Sequence, residues 1–167
     1  VKGLFFRVTR KKTSLRPFDV PNMPDKLELF CDEALLFSAH VQTVVNMRSA
    51  RFADTVAPGQ LMIKAFVDPR LFHGRIHGIC RTFDLEGQKI NDNSVEPIAG
   101  KGPADTSRWL VHDTQACKPA EPMTLLAKAW SAGCFVVCPS DLEAIGNILD
   151  AYKVMPGDMI PGELVEA

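Results

Sequence analysis

A chain of 167 residues with 46% hydrophobic content can bury one core of ordinary domain size, and none of its apolar runs reaches the roughly 18 residues of a membrane helix. Its 19 basic and 20 acidic side chains are spread along the chain and leave a formal charge of -1. No block of one sign marks a surface for nucleic acid or for a membrane, so a peptide, glycan or small-molecule partner is expected.

Residues 4–10, LFFRVTR, are rich in β-forming side chains and predict a strand. The stretch KKTSLRPFDVPNMPDK, with three prolines, follows as a loop. Together, residues 1–25 read as an N-terminal strand and proline-containing linker ahead of a main domain over residues 26–167. Residues 27–31 and 34–41 alternate apolar side chains around Asp32-Glu33, the pattern of a β-hairpin with a tight acidic turn. Residues 60–67, 77–83 and 108–112 predict further strands, and EGQKINDNSVEPIAGKGPADTS between the last two reads as a loop.

Two helices are expected toward the end. Residues 123–129 form a short one; in residues 140–152 Ser140 and Glu143 fit a capping box, with Leu142, Ile145, Leu149 and Tyr152 on one face. The tail VMPGDMIPGELVEA reads as a turn and a closing strand. The fold class is therefore mainly β, a sandwich or barrel carrying one or two helices.

Five cysteines, at 31, 80, 117, 134 and 138, leave at least one thiol unpaired within the chain. Cys31 continues the apolar alternation of Leu27 and Leu29 and reads as a small buried side chain. Cys117 lies five residues after His112; a bond from it to Cys138 or to Cys80 is open, and geometry decides between them. Cys138, just before Pro139, reads as packing or as a disulfide partner.

The main chemical constellation is His112, ending RWLVH, with SAGC at residues 131–134. A thiol acts as a nucleophile in its thiolate form, so it needs an imidazole to take its proton. His112 fits that role for Cys134. Gly133 permits a tight backbone turn beside the thiol, with main-chain N–H groups aimed at a developing oxyanion, and Ser131 is placed to orient the base or complete the donor set.

A rival lies in FHGRIHGIC, where His73, His77 and Cys80 suggest zinc. Pro69, Gly74 and Gly78 oppose the helix that would bring the two imidazoles to one face, and no Glu follows the first His. No metal and no cofactor are expected, and His77 is retained as a residue touching substrate. His40 alternates with apolar neighbours and reads as structural. AGKGPADTS lacks the spacing of a phosphate-binding loop.

In this order the motifs resemble the catalytic domain of the L,D-transpeptidases, cysteine enzymes that crosslink or trim peptidoglycan. The resemblance covers roughly residues 26–165. KLELFCDEALLFSAHV looks like the family's opening hairpin, and DTVAPGQLMI resembles its Thr-Pro-x-Gly-x-Phe-x-Ile segment through Thr55, Pro58 and Gly59. RWLVHDT is similar to the strand ending in the catalytic His, WSAGCFVV to the nucleophile motif, and SDLEAIGNILDAY with VMPGDMI to the terminal helix, turn and strand.

The resemblance implies a β-sandwich or barrel of the L,D-transpeptidase type, with Cys134 as nucleophile, His112 as base and Ser131 and Gly133 in support. It implies peptidoglycan stem peptides as partners and a bacterial, periplasmic or otherwise extracytoplasmic location. Arg108 and Lys128 are candidates for a substrate carboxylate. Ala132 replaces the motif's second His and Val136 stands where an Arg is common, departures that bear on substrate and on the partition between transfer and hydrolysis. The residues 114–129, TQACKPAEPMTLLAKA, look like an insertion lining the cleft. A carboxypeptidase or endopeptidase using the same pair, and a noncatalytic cell-wall-binding domain, are the alternative functions.

Overall fold

The computed structural model describes residues 3–11, 24–43, 58–65, 70–72, 75–77, 80–83, 110–114, 117–128, 135–155 and 157–167. In β1 (Leu4–Arg10) the side chains of Leu4, Phe6, Val8 and Arg10 are buried and those between them are half-buried, the period-two pattern of a strand with one face on a core. β2 (Asp25–Cys31) and β3 (Ala34–Val41) form the expected hairpin. Asp32 and Glu33 both lie at positive φ, 47° and 70°, which gives the two-residue turn a twist matching its strands. The Asp32 N–H donates to the Gly3 carbonyl at 2.9 Å and ties the turn to the start of β1.

The other strands are β4 (Gly59–Ala65), β5 (Arg70–Phe72), β6 (Arg75–His77), β7 (Cys80–Phe83), β8 (Leu110–Asp113), β9 (Phe135–Val137) and β10 (Met159–Glu166). Eight of them make one mixed sheet in the order β3-β2-β1-β10-β4-β7-β8-β9, while β5 and β6 pair separately. β1 with β10 and β8 with β9 run parallel; the remaining neighbours are antiparallel. Beyond the end of β3, Gln42 bridges to Val136 of β9. The first and last strands of the order thus meet, and the sheet curls into a barrel.

Two helices complete the described structure: α1 (Pro122–Lys128) and α2 (Pro139–Ala151). Leu142, Ile145 and Leu149 of α2 join the core with Phe6, Leu29, Ile63 and Phe135. α2 stops where Lys153 takes a left-handed φ of 58°, with its N–H donating to the Asp150 carbonyl and that of Val154 to the Leu149 carbonyl, each at 2.9 Å. A smaller cluster of Leu125, Val136, Cys138 and Cys117 forms under α1. β9 is therefore covered on both faces, with Phe135 and Val137 in the main core and Val136 in the small one.

The mainly β class with helices is as expected, but several details differ. β1 sits between β2 and β10, so residues 4–10 belong to the body of the sheet and do not form an arm ahead of a domain starting at residue 26. The strand expected over residues 77–83 divides between β6 and β7, which belong to different sheets.

α2 starts at Pro139, and its N-cap is Cys138, with no side-chain capping bond. Proline suits the first helical position because its absent N–H would have no partner there. Ser140 is thereby moved inside the helix, and the expected capping box does not form. Tyr152 caps the other end and is 41% exposed, not on the buried face. Cys31 is half-buried at the rim of the core, and its thiol is free.

Candidate functional site

His112 is the third residue of β8, and its Cα pairs in parallel register with that of Val136. Val111 pairs with Phe135 and Asp113 with Val137. Cys134 immediately precedes Phe135 in the sequence, and Ser131 and Gly133 precede it; these three lie outside the described residues, as do Arg108, His73 and residues 51–57, which include Thr55. His77 closes β6 opposite Arg70, and β6 lies against β8. The fold thus brings the strand of His112, the strand that Cys134 leads into and the strand of His77 to one side of the barrel. Among the described residues no group of three His, Cys, Asp or Glu side chains could hold a metal ion.

Cys117 and Cys138 form a disulfide with their Cα atoms 5.5 Å apart. Of the two partners open to Cys117, geometry selects Cys138. The bond spans a sequence separation of 21 residues and joins the chain just after β8 to the chain just after β9. Above it, α1 is fastened by Thr124: its hydroxyl accepts from the Lys118 N–H at 2.8 Å and donates to the Glu121 carbonyl at 2.7 Å. Leu125, wholly buried, then seats on Val136 and the disulfide.

At the same end of β9 a groove of about 320 Å³ opens between the hairpin and the start of α2, with Lys11, Lys26, His40, Pro119 and Asp141 among its walls. Lys26 and His40 are cross-strand partners on β2 and β3. Burial holds the His40 imidazole below its ordinary range, and Lys11 adds to the shift. Burial also pushes the Asp141 carboxyl up. The groove combines two ammonium groups, an imidazole disposed to stay neutral and one carboxyl reluctant to ionise.

The sequence reading missed a buried polar network beside this groove. Arg10, fully buried at the end of β1, donates from Nε to Thr43 Oγ1 at 2.9 Å and from Nη2 to the Thr43 carbonyl at 3.2 Å. The Thr43 hydroxyl in turn donates to Asp25 Oδ2, and Asp25 Oδ1 accepts from the Lys11 N–H at 2.9 Å. Desolvation lowers the Arg10 guanidinium to about 10, while Asp25 and Glu166 oppose the shift. A signal was present: Arg10 continues the inward alternation of Leu4, Phe6 and Val8, and a charge at an inward position demands partners.

A protein of Treponema pallidum (strain Nichols), described only as uncharacterized, is 39% identical to this chain over 140 residues. The alignment takes in 79% of the chain and 60% of the relative, so the chain spans well under the whole length of the protein it matches. No family model and no solved structure matches the chain.

Proposed function

We propose that the chain is a cysteine-dependent acyl transferase of the L,D-transpeptidase type, acting on peptidoglycan stem peptides outside the bacterial cytoplasm. Cys134 is its nucleophile and His112 its base. The observation that carries this reading is the parallel pairing of β8 with β9: His112 pairs with Val136, two residues beyond Cys134 in the sequence. The Cys117–Cys138 bond supports the location, since disulfides persist in oxidising compartments.

In the reaction, His112 takes the Cys134 proton, and the thiolate attacks the carbonyl after the third stem residue. The tetrahedral oxyanion is received by main-chain N–H groups at Gly133 and Cys134, with Ser131 in support. The proton on His112 passes to the departing amine, D-alanine leaves, and a thioester remains on Cys134. An amine of a second stem then restores the thiol with a new crosslink, or water restores it with a trimmed tripeptide. His77 and Arg108 hold substrate.

Val136 favours the hydrolytic branch as the second reading. It is wholly buried between the barrel seam and Leu125, so the position where an Arg is common in the resembling family serves packing here. A donor-binding charge is missing, and water competes better for a loosely held acyl group.

Incubation with a carbapenem followed by mass spectrometry tests the proposal. An adduct that maps to Cys134 and is absent from Cys134→Ser is expected. An unmodified wild-type protein would leave a noncatalytic wall-binding domain as the better reading. Product analysis with a tetrapeptide stem, with and without an acceptor amine, separates transfer from trimming.

A further inference from the structure

Among the described residues, the β8–β9 pair is short for a pair asked to hold a catalytic base and nucleophile in register. Among the described residues, β9 has three residues and is registered to β8 at three positions, and on its other side it meets β3 through the Gln42–Val136 bridge. A slip of one residue would move one strand along the other by about 3.3 Å and turn its side chains to the opposite faces. Hydrogen bonds along so few residues resist that slip weakly.

The disulfide lies where it opposes the slip. Because β8 and β9 are parallel, the chain leaves both strands at the same end, and there Cys117 and Cys138 are bonded. Cys138 directly follows Val137, the last residue of β9, and Cys117 comes four residues after Asp113, the last of β8. The covalent loop from 117 to 138 encloses Cys134 in the sequence. α1, inside the same loop, presses Leu125 onto Val136 and Cys138.

We infer that Cys117 and Cys138 are positioning residues: their bond fixes the register of β8 and β9 and so keeps His112 within reach of the Cys134 thiol. This rests on the reading of Cys134 as nucleophile and His112 as base. Neither sulfur of the disulfide takes part in the acyl transfer. The pair acts through the strands, and Cys134 has its enhanced reactivity only while the bond is closed.

The test compares the oxidised chain, the same chain reduced by a phosphine, and the Cys117→Ser/Cys138→Ser double variant. Two quantities are read at Cys134 by peptide mapping: the rate of carbapenem acylation and the pH midpoint of iodoacetamide alkylation. Circular dichroism follows the fold. Opening the bond should slow acylation at least tenfold and move the alkylation midpoint up toward that of a free thiol, about 8.5, with the β signal retained and both effects reversed on reoxidation of the wild type. Equal rates and midpoints in the closed and open forms would overturn the positioning role while leaving Cys134 as nucleophile. No adduct even in the oxidised chain would remove the underlying reading and this inference with it. Should the double variant not fold, the phosphine-reduced wild type decides, and its unfolding as well would make the bond a general staple of the fold, against the inference.

Discussion

Gln42 and Val136 exchange two backbone hydrogen bonds, the Gln42 N–H donating at 2.8 Å and the Val136 N–H at 2.9 Å. They join the last residues of the hairpin to the strand that follows Cys134, and they turn an open sheet with two edges into a barrel. Gln42→Pro removes one of the two donors and leaves the buried Val136 carbonyl unsatisfied, at a cost of about 1–3 kcal/mol. Urea unfolding should show a lowered midpoint. Amide exchange should rise at Val136 and its β9 neighbours more than in β1 and β2.

The Arg10, Thr43 and Asp25 network closes the polar end of the barrel beside this seam. A buried cation stripped of its counter-charge costs about 3–5 kcal/mol, more than the pair adds over an apolar replacement of similar volume. Asp25→Asn should therefore be strongly destabilising. Arg10→Met combined with Asp25→Asn should recover much of the loss, because the charge that lacked compensation is gone. Denaturant midpoints of the two single variants and the double variant measure the coupling, and additive effects would show that Arg10 and Asp25 do not act as a unit.

What the sequence made legible was local. Asp32-Glu33 marked its own turn, the alternation of Leu27 with Leu29 marked an inward face, and the β-forming composition of residues 4–10 marked a strand, because these signals are written in neighbouring residues. The position of β1 was not legible. Its parallel partner β10 is joined to it at Phe6 and Gly162, and nothing in either segment names the other. The cysteine pairing was likewise a matter of geometry, which favours Cys138 over Cys80 for Cys117. The capping box failed through competition between two valid signals: Pro139 set the start of α2 one residue before Ser140. Of the candidate site, the strand of His112 was legible, whereas β9 and its parallel pairing with β8 were not, and the Arg10 network was overlooked although its arginine continues the inward alternation.

Gly162 is a test of the β1–β10 pairing that depends on no charge. It faces Phe6, and a Cβ built there would lie 2.7 Å from the Phe6 carbonyl oxygen and 3.2 Å from the Phe6 Cβ. A backbone oxygen in a paired central strand cannot swing aside as a flexible side chain can. Gly162→Ala should push the two strands apart and lower stability by about 1–3 kcal/mol, the usual range for overpacking. Gly59→Ala is the matched comparison for space, since a Cβ there meets nothing within 4 Å, although its φ of 150° carries a strain of its own. Thermal midpoints should fall further for Gly162→Ala if strand separation is the larger effect.

The groove gives the protein an acid sensitivity whose sign follows from His40. Burial and Lys11 place the folded-state pKa of His40 below its ordinary 6.5, so through that window the unfolded chain binds more protons than the native one. Stability therefore rises with pH across the window and is lost as pH falls from 6.5 through the lowered value. Asp141 acts in the opposite sense: with its carboxyl raised above 3.8, the native chain keeps a proton that the unfolded chain has released, and stability falls as pH rises through the raised value. His40→Gln should flatten the loss of stability on acidification below pH 6.5. Asp141→Asn should stabilise the protein at neutral pH, with an advantage that fades once the pH is below 3.8. Urea midpoints taken at steps across the acid range for wild type and both variants distinguish the two groups, and an unchanged slope in His40→Gln would show that another group carries the acid response.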